Sequence, residues 1–157
     1  MSEIFSIDFE NNHLPINNSS FVGKIGEEAA ARFLVREGFR LVMSNFKTPI
    51  GRNRINALIT GEIDLIALES DVLCFVEVKT RSSDEFLSPL AAVNLRKQRQ
   101  ITRTAHVYRK IFNLENAKFR YDVVSIVLRD KTPEIELFRN FWTESKFRKK
   151  YWNDDIF

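Results

Sequence analysis

Hydrophobic and polar positions alternate most clearly in two adjacent segments near the middle of the chain. Residues 62–68 and 73–80 are rich in Ile, Val and Phe, and the Ser-Asp pair at 70–71 between them is typical of a turn. The pattern predicts a β-hairpin. A two-residue loop at this turn would place Asp64 directly opposite Glu77 in an antiparallel pair.

Two further segments have apolar residues at intervals of three and four, which predicts helices. The first covers 21–38, where the serines at 19–20 can cap the N-terminus and Gly38 is a natural stop. The second follows Asn94 as its N-cap and runs to about Phe112.

The remaining segments complete an outline of the chain. Strands are predicted at 39–46, 119–128 and 135–138. Residues 47–60 contain proline, glycine and arginine, which predicts a mobile basic loop. Residues 1–20 are polar and rich in asparagine, and we expect them to form a mobile tail.

Length and composition fit one globular domain over residues 21–157, behind the tail. The net charge of +3 is only mildly basic, so the distribution of charge matters more than its total. The single cysteine, Cys74, cannot form an internal disulfide and is expected to pack as a small hydrophobe. Neither a secretory signal nor an apolar stretch of membrane length is visible, so we expect a cytoplasmic protein without membrane contact.

Charged residues on the predicted hairpin suggest a chemical role. Because side chains alternate along a strand, Asp64, Glu77 and Lys79 share one face. Two opposed carboxylates repel, so either this face is open to water or a divalent cation binds both acids. Leu73 and Phe75 share the face of Glu77 and indicate that it is partly covered, which favours the metal site.

Two adjacent glutamates in the first predicted helix have different surroundings. Glu28 precedes Arg32 and Arg36 at steps of four, which predicts an exposed stripe with favourable charge pairing. Glu27 precedes Leu34 on the buried stripe, where an acid is costly unless it is paired or metal-bound. Stabilisation by the helix dipole is the alternative, and the spacing alone leaves both open.

The second predicted helix has a basic exposed face. Its members are Arg96, Lys97, Arg99, Arg103, Arg109 and Lys110. Arg96 and Lys97 lie in the first turn, where the helix dipole disfavours cations, so phosphate binding explains them better than local stability does. A solvated basic helix is the alternative. Gln98 continues the apolar stripe and is expected to point inward.

Short motifs occur in a fixed order between residues 23 and 141. They are Gly26-Glu27 with Ala30, Gly61-Glu62-Ile63-Asp64-Leu65-Ile66, Val76-Glu77-Val78-Lys79-Thr80-Arg81, Arg96-Lys97-Gln98 and Arg120-Tyr121-Asp122-Val123-Val124. This set resembles the YraN-type endonuclease family of the PD-(D/E)XK nuclease superfamily, which is similar to archaeal Holliday-junction resolvases. The sequence departs from the family in its long 47–60 segment, in Leu87 where glycine is common and in Asn94 where threonine is common.

The resemblance implies a restriction-endonuclease-like α/β fold, with a central mixed β-sheet flanked by helices. It implies a Mg²⁺ or Mn²⁺ site formed by Asp64, Glu77 and Glu27. Lys79 and Gln98 would complete the catalytic signature.

Two functions are consistent with these features. The first is a metal-dependent endonuclease that acts on branched or structured nucleic acid, with DNA favoured over RNA and a homodimer as an option. Its expected nucleic-acid contacts are Arg81, Arg96, Lys97, Arg99 and Arg103. The alternative is a module that binds nucleic acid or protein and retains the nuclease fold without turnover.

Overall fold

The computed structural model describes residues 19–82, 93–128 and 132–147. Within these ranges two long helices and five strands make up the fold, and residues 145–147 are also helical. In chain order they are α1 (Ser19–Arg36), β1 (Arg40–Arg52), β2 (Leu58–Glu69), β3 (Val72–Ser82), α2 (Leu95–Ile111), β4 (Phe119–Leu128) and β5 (Glu134–Trp142). Residues 1–18 of the predicted tail lie outside the described residues, and helix α1 already begins at Ser19.

The strands form a single sheet in the order β1-β2-β3-β4-β5. The pairing of β3 with β4 is parallel, and the other three pairings are antiparallel. A parallel pair requires a crossover connection, and the segment that contains α2 provides it. The predicted α/β class with a central mixed sheet is therefore confirmed.

The hairpin of β2 and β3 has the predicted register. Glu69 pairs with Val72 across the turn, and the ladder continues to the pair of Leu65 and Val76. Ser70 adopts a positive φ of 54° in the turn. Asp64 and Glu77 are the next residues beyond the last regular pair of the ladder.

Each helix covers one face of the sheet. Ala30 and Leu34 of α1 pack on one face, in a core whose other buried members are Phe39, Leu65, Ala67, Cys74, Val76, Val124 and Ile126. Ile101, Ala105 and Tyr108 of α2 pack on the opposite face, against a core that includes Ile63, Ile66, Leu73, Phe75 and Tyr121. Cys74 is buried as expected, and burial raises the pKa of its thiol to about 12.

The prediction of a basic loop over residues 47–60 was wrong. Strand β1 continues to Arg52 and β2 begins at Leu58, so that the two form a long hairpin with a short turn. Pro49 is compatible with β1 because β1 is an edge strand and its register with β2 shifts between Pro49 and Gly51.

Helix α2 follows its predicted limits closely. The Asn94 side chain accepts a hydrogen bond from the Lys97 N–H at 2.9 Å, which confirms the predicted N-cap. Arg109 was wrongly assigned to the exposed face, since it is buried and pairs with Glu144 at 2.7 Å. Among the described residues, neither helix is long and apolar enough to cross a membrane.

Candidate metal centre and basic surface

The side-chain alternation of β2 is interrupted at Asp64. Ile63 and Ile66 both pack in the core beneath α2, whereas Leu65 packs in the core beneath α1. Residues three apart would point to opposite faces of a regular strand. Asp64 therefore lies where the alternation of β2 is broken, although the register with β1 continues unshifted past it.

Strand β1 is distorted at the same level. Met43 and Phe46 both pack against the core beneath α2, although they too are three residues apart. The register places Asn45 opposite Asp64, and Asn45 has a positive φ of 51°. A hydrogen bond from the Asn45 side chain lowers the pKa of Glu27, whose pKa is raised overall. The distortion of β2 thus positions Asp64, and the distortion of β1 positions Asn45 beside Glu27.

The Asp64 carboxylate, rather than a backbone carbonyl of β2, accepts a hydrogen bond from the backbone of β3. Its Oδ2 accepts a hydrogen bond at 2.8 Å from the N–H of Val78, which lies two residues beyond Val76 in the last regular pair of the ladder. Asp64 is only 8% exposed. The carboxylate is therefore held in a fixed position in the gap between two strands.

Asp64 and Glu77 form a buried pair of carboxyl groups. Glu77 is 7% exposed. Burial, followed by the charge of Asp64, raises the pKa of Glu77 to about 8, although Lys97 opposes this shift. Burial also raises the pKa of Asp64, while its hydrogen bonds with Val78 and Glu77 lower it. Burial and the repulsion between the two groups thus both oppose the ionisation of the pair.

Lys97 reaches the acid pair from helix α2. Its Nζ lies 3.4 Å from Oε2 of Glu77, and its side chain is 33% exposed. That Oε2 atom is buried and has no donor with hydrogen-bond geometry among the described residues. The predicted phosphate ligand Lys97 is thus placed as a counter-charge for Glu77, which has one oxygen available for a further cationic partner.

Glu27 approaches the pair from helix α1. Burial, and then the charge of Asp64, raise its pKa above the ordinary value. Gly26 makes this approach possible, because a Cβ at this position would lie 1.8 Å from Oγ1 and 2.9 Å from Cβ of Thr80 in β3. Glu28, by contrast, is exposed and pairs with Arg32 at 3.7 Å, as predicted.

Glu62 is an acid of this site that the sequence analysis did not nominate. Its carboxylate raises the pKa of both Glu27 and Asp64, and it pairs with Lys47 at 3.3 Å. The signal was present in its position two residues before Asp64. The pairing of β1 with β2 is what brings Lys47 to Glu62.

Lys79 and Arg81 follow Glu77 on β3. The pairing of β3 with β4 is uninterrupted from Leu73 to Ser82, so both side chains share the face of Glu77. Lys79 is exposed and has no ion pair or hydrogen bond within the described part of the chain. Arg81 is only 5% exposed, a position that does not suit the predicted phosphate contact.

The Gln98 side chain is buried and makes contacts other than with the acid pair. Its Nε2 donates to the Val93 carbonyl at 2.8 Å, and its Oε1 accepts from Lys146 at 3.4 Å. The predicted inward orientation is confirmed. A catalytic role for Gln98 stays a prediction, since these contacts anchor the start of α2.

Three arginines form an exposed basic surface on α2, the helix that places Lys97 beside Glu77. Arg96, Arg99 and Arg103 are all exposed. The Arg99 guanidinium lies 5.7 Å from the centre of the Phe147 ring, and Arg103 donates to the Ile50 carbonyl. These contacts orient two of the three side chains while their charges remain at the surface.

The acids fit a divalent cation held by two carboxylates. Within residues 19–82, 93–128 and 132–147, no group of three or more His, Cys, Asp or Glu side chains is close enough to ligate one ion. Mg²⁺ needs fewer protein ligands, because it commonly keeps several waters and binds one or two carboxylates. Asp64 and Glu77 meet this requirement, and Glu27 would act through water.

The sequence signature of a known family matches most of the described chain. The Uncharacterised protein family UPF0102 matches residues 26–126, a range that includes all the predicted catalytic and DNA-binding residues. The chain belongs to the UPF0102 family. This confirms the family predicted from the motifs, since UPF0102 is the YraN family.

Relatives in the UPF0102 family align with this chain over most of their own length. A UPF0102 protein of Desulfosudis oleivorans is 40% identical over 80% of this chain and 92% of its own. A UPF0102 protein of Acetivibrio thermocellus is 40% identical over 77% of this chain and 86% of its own. The match to a solved structure titled "Crystal structure of SSO0001" spans 82% of this chain and 55% of that one, with 17% identity and a TM-score of 0.37.

Proposed function

We propose that this UPF0102 protein is a metal-dependent endonuclease that hydrolyses phosphodiester bonds in branched or structured DNA. The supporting observation is the buried pair of Asp64 and Glu77, which Lys97 approaches to 3.4 Å from helix α2, a helix with three further arginines on its exposed face. Buried acids of like charge destabilise a metal-free fold, and a bound cation would remove that cost. Clustered acids beside a basic surface suit a metal ion that meets phosphate.

Asp64 and Glu77 would hold Mg²⁺ or Mn²⁺. Such an ion, when bound, lowers the pKa of a coordinated water and neutralises charge on the phosphate. The Val78 N–H fixes the orientation of Asp64. Glu27 and Glu62 would orient water through hydrogen bonds, because both lie within electrostatic reach of Asp64.

Lys79 is the candidate for transition-state stabilisation. It lies two residues from Glu77 on the same strand face, and its exposed ammonium can reach a phosphate bound beside the acids. A positioned charge of this kind acts where negative charge develops during phosphoryl transfer. Lys79 would also orient the attacking water.

Arg96, Arg99 and Arg103 would bind DNA phosphates on either side of the cleaved bond. Their charges lie on the exposed face of α2, whose first turns also contain Lys97 beside Glu77. Contacts with the backbone position a nucleic acid without selecting a sequence. Selection of branched DNA must therefore come from shape.

A binding module without turnover is the second candidate. The observation in its favour is Lys97, whose ammonium lies 3.4 Å from Glu77 and offsets part of the charge that a metal would neutralise. Such a protein would bind nucleic acid with similar affinity whether or not a divalent cation is present.

A cleavage panel separates the two candidates. Labelled single-stranded, duplex, flap and four-way DNA, with matched RNA, are incubated with Mg²⁺ or Mn²⁺ and with the wild type or Asp64→Asn. The nuclease predicts metal-dependent products from at least one DNA, which disappear with Asp64→Asn. Products that are equal for both proteins, or binding of DNA without any products, would reject the nuclease.

A further inference from the structure

The turn of the β1–β2 hairpin exposes apolar side chains at the tip of a projecting element. Ile55 is 83% exposed and Leu58 is 55% exposed. Isolated apolar residues at a surface are common, but an isoleucine so exposed at a hairpin tip is costly in water. Ile55 is more exposed than any other large hydrophobic residue that the structure describes.

The turn itself is well ordered by hydrogen bonds. Oδ1 of Asn53 accepts from the N–H groups of Ile55 at 3.1 Å and Ala57 at 2.9 Å. The backbone of Asn53 also donates to the Ala57 carbonyl at 2.9 Å, and Arg52 donates to the Asn56 carbonyl at 2.7 Å. Ile55 is thus presented outward on a preorganised turn.

The charge around the tip is positive. Residues 48–61 contain Arg52 and Arg54 and no Asp or Glu. Both arginines are exposed, one on each side of Asn53. A basic tip without acids is complementary in charge to a polyanion such as a nucleic acid.

Helix α2 braces the hairpin from the side of the basic surface. Arg103 donates to the Ile50 carbonyl of β1, and Gln100 donates to the Thr60 carbonyl of β2 at 3.1 Å. Gly61 lets the helix come close, because a Cβ there would lie 2.0 Å from Oγ1 of Thr104. The tip beyond these contacts is therefore a stiff extension of the α2 surface.

Strand β2 runs from the hairpin tip to the acid pair. Leu58 lies six residues from Asp64 on β2, which corresponds to about 20 Å at 3.4 Å per residue. This equals roughly six base-pair steps of DNA. One DNA molecule can thus contact the tip and the acids at once.

We propose that the tip is a wedge, in which Ile55 inserts between bases at the branch point of a DNA substrate and Arg52 and Arg54 contact the flanking phosphates. Apolar side chains such as isoleucine unstack base steps in this way when basic residues anchor the backbone around them. The cost of unstacking is lowest where pairing is already interrupted, so the wedge selects branched over continuous DNA. The proposal rests on the proposed function for its substrate class.

The test uses Ile55→Ser in the full-length protein, with Ile111→Ser as the matched control. Ile111 is 54% exposed in the last turn of α2, at the opposite end of that helix from Lys97. Binding is measured by fluorescence anisotropy with a four-way junction and a duplex of the same sequence, in EDTA so that cleavage plays no part. A 2-aminopurine at the branch point reports unstacking.

The wild type and Ile111→Ser should prefer the junction and increase the 2-aminopurine fluorescence. Ile55→Ser should lose about tenfold of its junction affinity, with little change on duplex, and should lose the fluorescence increase. An unchanged junction preference, an equal loss on junction and duplex, or the same loss in Ile111→Ser would overturn the wedge. So would a wild-type dimer in sedimentation that Ile55→Ser converts to monomer, because the tip would then be a protein contact.

Failure of the wedge can be distinguished from failure of the nuclease. The binding assay needs neither metal nor turnover, so a loss of junction preference in Ile55→Ser supports the wedge even if the wild type cleaves nothing. Conversely, metal-dependent cleavage by the wild type with unaltered junction binding by Ile55→Ser supports the nuclease and rejects the wedge.

Discussion

The buried carboxyl pair determines how the metal-free protein responds to pH. Glu77 has an ordinary pKa of 4.5, which burial and Asp64 raise to about 8 in the folded state. Because the pKa of Glu77 is higher in the folded than in the unfolded protein, its contribution to folding stability is fully present below about pH 4.5. This contribution is lost as the pH rises through about 8. Burial shifts the pKa values of Asp64 and Glu27 in the same direction.

We therefore expect the metal-free wild type to lose stability between about pH 5 and 8, by at most about 1.4 kcal/mol per pH unit for each proton involved. Glu77→Gln should flatten the dependence at the alkaline end of this window. Urea unfolding in EDTA at a series of pH values measures both. If the stability of the wild type does not fall over this window, the raised pKa of Glu77 is contradicted.

Lys79→Met separates chemistry from binding. Methionine keeps much of the length and apolar contact of the side chain but removes the charge, so the single-turnover cleavage rate should fall about 10²–10³-fold. Binding of DNA should change little, because one exposed charge is lost. Lys110→Met, at an exposed position in the last turn of α2, is the control. A rate within threefold of the wild type, roughly 0.6 kcal/mol in activation free energy, would leave Lys79 without a catalytic role.

At the scale of elements, the structure assigns different tasks to two neighbouring cations of α2. Arg96 is exposed, whereas Lys97 is directed to Glu77. Arg96→Gln should therefore reduce the slope of log affinity against log salt by about 0.9, the value for one duplex phosphate contact. Lys97→Gln should change the slope less and should alter metal binding. Equal slope changes for both variants would mean that Lys97 contacts a DNA phosphate as Arg96 does.

The close packing of helix α1 on strand β3 depends on Gly26. Gly26→Ala should destabilise the protein by about 1–3 kcal/mol, because the added methyl group meets Oγ1 and Cβ of Thr80. It should also weaken cleavage, since Glu27 would move away from Asp64. Gly23→Ala on the same helix has no atom within 4 Å of its new methyl group and should stabilise by about 0.5–1 kcal/mol. Thermal unfolding of the two variants is the measurement, and equal effects would reject the close helix contact.

At the scale of the whole molecule, local patterns predicted much of the sheet and one helix closely. The hairpin of β2 and β3 was predictable because its turn and its alternation agree on one register, and strand β4 has its predicted limits, Phe119–Leu128. The Asn94 cap was predictable for the same reason, since a capping residue acts within one turn.

Long-range pairing accounts for what the sequence could not show. Pro49 and Gly51 indicate a loop locally, but the edge of a sheet accommodates both, and pairing with β2 extends β1 to Arg52. The same pairing brings Lys47 to Glu62 and places Asn45 opposite Asp64. Burial of Arg81 likewise depends on packing that no local pattern reports.

The central claim is that Asp64 and Glu77 form a divalent metal site, and a calorimetric titration with Mn²⁺ at pH 7 tests it most directly. Performed in two buffers of different ionisation enthalpy, it measures both the stoichiometry and the protons released. With the pKa of Glu77 raised to about 8, we expect one ion per chain and about one proton displaced, and both should be lost in Asp64→Asn. Absence of binding at millimolar Mn²⁺, or equal binding by Asp64→Asn, would contradict the account.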